Sequence, residues 1–167
     1  MNDTLLNSEQ HTPVIPRLLA DLLIKRGYKL VTAESCTGGM IAAACTDLAG
    51  SSAWFERGFV TYSNDAKTES LGVDAALLAQ HGAVSEEVVR AMVIGAIAHS
   101  KAQVAVAVTG VAGPTGGSRD KPVGTVWFGW SVNGVVSSER MLFKGDRAAV
   151  RAATVRHALQ RLVELLG

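Results

Sequence analysis

Apolar positions change period several times along the chain, and each change marks an element. Leu18, Leu19, Leu22 and Leu23 recur at helical spacing after Thr12, Pro13 and Pro16. They predict a helix capped by Thr12, with both prolines in its first turn and its end at Gly27. YKLVTAE reads as a buried strand, GGMIAAACTDLAG as a helix closed near Gly50, and GFVTYS as a second strand. Ser85, Glu86 and Glu87 open a further helix whose apolar stripe is Val88, Val89, Met92, Val93, Ala96 and Ile97. AQVAVAVTG is a Val-rich run that stops at a glycine loop, as a strand covered on both faces would. GTVWFGWSV and VVSSERMLF flank Asn133-Gly134, a strong signal for a two-residue hairpin. A last helix starts at Asp146 and carries Val150, Val155, Leu159, Leu162, Val163 and Leu166.

This order predicts a single α/β domain, a three-layer α/β/α sandwich with a mixed β-sheet: parallel crossovers first, an antiparallel hairpin later. Residues 1–12 are polar without sustained period and are expected to be a flexible N-terminus, with the domain spanning 13–167. A chain of 167 residues, 48% hydrophobic and 19% charged, suffices for one core.

Sixteen Lys and Arg against fifteen Asp and Glu leave a formal charge of +1 with no block of like charges. Nucleic acid and membrane surfaces are therefore not expected partners, and a small molecule is. Cys36 and Cys45 are the two cysteines, no leader-like segment opens the chain, and no apolar run approaches the ~20 residues that span a bilayer. A cytoplasmic location follows as an expectation. Exposed apolar positions on a compact α/β domain make a homodimer or larger homo-oligomer the expected assembly.

In open α/β sheets, ligands collect beyond the carboxyl ends of the strands, and three such ends carry unusual sequence: ESCTGG, TYSNDAK and TGVAGPTGGSRDKP. At the first, Ser35 or Thr37 caps the next helix, or Ser35 is held exposed as a nucleophile while backbone N–H groups of Cys36, Thr37, Gly38 and Gly39 bind an oxyanion. Spacing fits both readings. Cys36 is the competing nucleophile, and strand alternation points it away from Ser35. None of His11, His81, His99 and His157 adjoins a glycine-rich strand end, which weakens a Ser-His-Asp triad.

Lys67 fits a base: a cap at Ser63 or Asn64 places it in a first helical turn, where dipole and burial both disfavour the ammonium. Tyr62 offers a phenol on the same loop. The third segment brings Thr109, Gly110, Gly113, Gly116 and Gly117 together, either as a structural wide loop or as an anion cradle, and it matches neither a Walker loop nor G-x-G-x-x-G. Arg147, directly after the Asp146 cap, is a cation at the wrong helix end; it pairs with a surface acid or holds an anionic substrate. No His, Cys and carboxylate cluster shows ligand spacing, so neither metal nor cofactor is expected.

Jointly, TAESCTGG, GSSAWFERGFVTYSNDAK, GAVS and TGVAGPTGGSRDKPVGTV resemble the CinA C-terminal domain family, in particular its stand-alone nicotinamide-nucleotide amidases, from about Pro13 to the end. The resemblance implies the three-layer fold and hydrolysis of the carboxamide of nicotinamide mononucleotide to nicotinic acid mononucleotide and ammonia, in pyridine-nucleotide salvage. It further implies Ser35 as nucleophile, Lys67 as its base, and Tyr62 at the family's tyrosine. Thr109, the glycines and Arg147 are assigned to substrate binding by physics alone. Larger CinA proteins carry an extra N-terminal domain for which this chain is too short, so that domain's activities are not expected. Two rivals stand beside the amidase: a Ser-Lys hydrolase of another amide or ester, and a non-catalytic nucleotide- or partner-binding module in a competence or DNA-damage setting.

Overall fold

The computed structural model describes residues 14–167. The predicted Thr12 cap, Pro13 and the expected flexible N-terminus lie outside the described residues. Helix α1 (Val14–Arg26) ends where Gly27 turns to positive φ. Its buried face is Leu19 and Leu23 with Pro16 and Ala20; Leu18, expected on that face, is 48% exposed, because the buried stripe runs one position further round the helix.

Strand β1 (Leu30–Glu34) leads into α2 (Met40–Thr46), a one-turn 3-10 helix (Ser51–Ala53) and β2 (Phe55–Val60). Helix α2 is shorter than its apolar run suggests, since the turn after β1 occupies the first residues of that run. Strand β2 starts three residues before the predicted GFVTYS and leaves Thr61, Tyr62 and Ser63 free as a loop. Helices α3 (Asn64–Leu71), α4 (Ala75–His81) and α5 (Glu86–Ala98) then cross to β3 (Val104–Gly110). Ser63, Asp74 and Ser85 cap them, each side chain accepting a hydrogen bond from an N–H in the first turn. Strands β4 (Thr125–Val132) and β5 (Val135–Leu142) form the expected hairpin, with Asn133 and Gly134 both at positive φ, before α6 (Arg147–Leu166) closes the chain.

The five strands lie in the order β2-β1-β3-β4-β5, parallel from β2 to β3 and antiparallel beyond. Side chains of β3 alternate between two cores. Val104, Val106 and Val108 pack with Leu19, Leu23, Ile41, Val150, Leu159 and Leu162 under α1, α2 and α6. Ala105 and Ala107 pack with Leu71, Val88, Val89, Met92 and Val93 under α3 and α5. Helices thus cover both faces of a mixed sheet, the predicted three-layer arrangement.

The chain leaves β1 through α2 toward β2, then returns through α3 to α5 to β3 on the other side of β1. The crevice between the carboxyl ends of β1 and β3 is therefore the topological switch point, where such sheets bind ligands. Among the described residues no helix is long and apolar enough to cross a membrane.

Candidate active site

A cleft of about 300 Å³ opens at that switch point, lined by Ser35 and Cys36 after β1, Tyr62 and Lys67 around α3, Ala83 and Val84 before α5, the loop after β3, and Arg147. Ser35 follows β1 directly, and its N–H donates to the Val108 carbonyl of neighbouring β3 at 3.2 Å. The side chain is 9% exposed, with Oγ 3.1 Å from Lys67 Nζ.

Lys67 is 1% exposed. Its Nζ lies 2.7 Å from the Thr61 carbonyl and 3.5 Å from that of Tyr62. Burial lowers its pKa below the ordinary 10.5, with Cys36 acting in the opposite sense. A neutral amine has two N–H donors and one lone pair. Two carbonyls and one hydroxyl surround Nζ: an ammonium donates to all three, and a neutral amine donates to the Thr61 and Tyr62 carbonyls with its lone pair toward the Ser35 hydroxyl. Cys36 turns into the core beside Ile41 and Cys45, and burial pushes its thiol up to about 11, so it stays protonated and unreactive at neutral pH.

The four backbone donors expected to hold an oxyanion are placed unequally. The N-terminus of α2 is already occupied: the fully buried Glu34 carboxylate accepts the Thr37 hydroxyl at 2.6 Å, Ile41 N–H at 2.8 Å and Ala42 N–H at 3.0 Å. Gly38 N–H donates to the Ser35 carbonyl at 3.0 Å, and Thr37, Gly38 and Gly39 do not line the cleft. Of the four proposed donors, only Cys36 does.

Thr109, Gly110, Gly113 and Gly116 line the cleft; Gly117 does not. A Cβ on Gly117 would sit 2.8 Å from Val123 N, so its glycine serves loop packing. Thr109 spends its hydroxyl proton on the Ala83 carbonyl at 2.9 Å, which fixes the Ala83–Val84 wall. Tyr62 is a rim residue, 61% exposed, whose hydroxyl accepts from Arg147 at 3.1 Å. Its phenol therefore faces Arg147, and its backbone carbonyl reaches Lys67. Arg147 also donates to the Gly113 carbonyl at 2.9 Å. Both partners are neutral, so the cation keeps its charge at the cleft.

His81 and His157 contact Glu87 and Glu139, His99 contacts the Gly95 carbonyl, and none lines the cleft. Among the described residues no group of three His, Cys, Asp or Glu side chains is arranged to hold a metal ion.

Two residues of this region escaped the sequence reading. Glu34 shares the face of Leu30 and Thr32 by period two, and its only signal was an acid ending an apolar strand. Arg151, one helical turn beyond Arg147, donates to the Cys36 and Thr37 carbonyls at 3.1 Å each. Its signal was the i, i+4 spacing of two arginines.

The family model described as the CinA C-terminal domain matches residues 14–166. The chain belongs to the CinA C-terminal domain family. This CinA C-terminal domain is 57% identical over 138 residues to the nicotinamide-nucleotide amidohydrolase PncC of Escherichia coli (strain K12), covering 82% of this chain and 84% of that one. It is 58% identical over 147 residues to the protein of the same name from Pseudomonas putida, covering 88% and 92%. Among solved structures, it superposes with a TM-score of 0.88 and 47% identity on the competence damage-inducible protein A (ComA) of Klebsiella pneumoniae subsp. pneumoniae MGH 78578, covering 91% of this chain and 94% of that one.

Proposed function

We propose that this protein is a nicotinamide-nucleotide amidohydrolase that converts nicotinamide mononucleotide to nicotinic acid mononucleotide and ammonia, in pyridine-nucleotide salvage, with Ser35 as nucleophile and Lys67 as general base. The activity is that of its PncC relatives. The observation that carries the mechanism is the buried 3.1 Å contact between Ser35 Oγ and Lys67 Nζ at the head of the cleft.

Neutral Lys67 takes the Ser35 proton as Oγ attacks the amide carbon, and the carbonyl oxygen becomes an oxyanion facing the Cys36 N–H. The resulting ammonium of Lys67 returns the proton to the leaving nitrogen, the C–N bond breaks, and ammonia departs. Water, deprotonated by Lys67, then attacks the acyl ester and frees Ser35 with the carboxylic acid. Arg147, with its charge unspent, faces the substrate phosphate, and the loop around Gly113 and Gly116 lets backbone approach it closely.

Ammonia release from nicotinamide mononucleotide tests this in the wild type and in folded Ser35→Ala and Lys67→Ala variants. Turnover that falls by at least about 1,000-fold in both supports the dyad. A wild type that binds the nucleotide without turning it over refutes the reading and leaves a binding module.

A further inference from the structure

The turn carrying Ser35 is gripped from two sides. Inside, Glu34 holds the Thr37 hydroxyl and the first N–H groups of α2. Outside, Arg151 donates from Nε to the Cys36 carbonyl and from Nη2 to the Thr37 carbonyl. These carbonyls belong to consecutive peptide groups. In a trans peptide the N–H points opposite to the carbonyl, so a guanidinium on both carbonyls sends the Thr37 and Gly38 N–H groups away from α6. Gly38 N–H duly donates to the Ser35 carbonyl. The chain of contacts therefore runs from Arg151 through the Thr37–Gly38 peptide to the backbone of Ser35. A cation on the carbonyl end also polarises that peptide and strengthens its N–H as a donor.

We infer that Arg151 is a positioning residue for Ser35, acting through the Cys36 and Thr37 carbonyls. The inference rests on the reading of Ser35 as nucleophile. An arginine suits the task because its planar fork addresses two acceptors in a fixed relation, whereas a lysine ammonium offers one centre. Arg151 does not line the catalytic cleft; it borders the neighbouring cavity with Arg147, Asp146 and Pro114. Its effect should therefore fall on the chemical step and spare substrate affinity.

The test compares wild type, Arg151→Ala and Arg151→Lys for kcat and KM on nicotinamide mononucleotide, with Ser35→Ala as the blank. Arg151→Ala should lose about 10- to 100-fold in kcat, while KM moves by less than about threefold. Added guanidinium ion should restore part of that kcat, and Arg151→Lys should fall between the two. Hydrogen exchange across residues 34–42 should quicken in Arg151→Ala. A kcat within about twofold of wild type, or a raised KM with kcat intact, overturns the inference; the latter makes Arg151 a substrate ligand. If Arg151→Ala does not fold, Arg151→Lys carries the same measurements. A wild type that releases no ammonia refutes the amidase reading instead, and exchange then decides the positioning role, which unchanged rates over 34–42 would overturn.

Discussion

Glu34 is the group on which the geometry of the nucleophile turn depends, and replacing it gives a stability prediction with a definite size. Its carboxylate is fully buried and accepts three hydrogen bonds, at 2.6, 2.8 and 3.0 Å. Helix α2 has seven residues and would be marginal without such an anchor at its N-terminus. Glu34→Ala removes both acceptor oxygens and strands the buried Thr37 hydroxyl and Ile41 N–H and the part-buried Ala42 N–H without a partner. A hydrogen bond to a charged group contributes about 1.5 to 3 kcal/mol, and relief of the buried charge offsets part of the sum, leaving a loss of roughly 3 to 5 kcal/mol. For a domain of this size that lowers Tm by about 10 °C. Glu34→Gln keeps the shape and one oxygen but turns an amide NH2 toward an N–H donor, so its cost is about 1 to 2 kcal/mol. Urea unfolding followed by far-UV circular dichroism measures both. A Glu34→Ala variant within about 1 kcal/mol of wild type would show that neither α2 nor the turn before it depends on this carboxylate.

Three further outcomes follow from the site. Because burial lowers the Lys67 pKa below 10.5, kcat/KM should rise with pH along a limb whose apparent pKa lies below that value; a pH-rate profile flat up to pH 10 would remove Lys67 as the base. Lys67→Met should abolish turnover, and its stability relative to wild type should be greatest below the lowered Lys67 pKa. The wild type carries the full penalty below the lowered pKa and sheds it as pH rises toward 10.5, so the gap must narrow in urea titrations across that window, and a constant gap contradicts the sign. Arg147→Met should raise KM for nicotinamide mononucleotide by about 10- to 100-fold and change kcat/KM for the phosphate-free riboside little; equal losses on both substrates would take Arg147 off the phosphate.

The fold was legible because its signals are local. The Val-rich β3, the Asn133-Gly134 turn and the Ser85 and Asp146 caps depend on neighbours a few residues away, and each stands where the periodicity placed it. Helix α4 has no counterpart among the elements read from periodicity, because seven residues hold too few apolar positions to establish a period. At the site, Lys67 could be placed in its first turn from the Ser63 cap alone, yet nothing local brought it to Ser35. That contact spans 32 residues and depends on β1 and β2 being adjacent and parallel. Of the oxyanion donors read from the sequence, Gly38 gives its N–H to the Ser35 carbonyl, and Thr37 and Gly39 lie outside the cleft lining. The backbone N–H groups that Glu34 takes are those of Ile41 and Ala42, seven and eight residues downstream, and no local pattern in the sequence joins them to it.

With Ser35 as nucleophile, turnover must pass through a covalent acyl ester on its Oγ. Rapid-quench mixing of wild-type protein with nicotinamide mononucleotide, followed by intact-mass and peptide mass spectrometry, would trap that ester. The expected result is a transient adduct equal to the substrate less ammonia, located on the peptide containing Ser35 and absent from Ser35→Ala. Sustained ammonia release with no adduct, together with activity retained by Ser35→Ala, would contradict it.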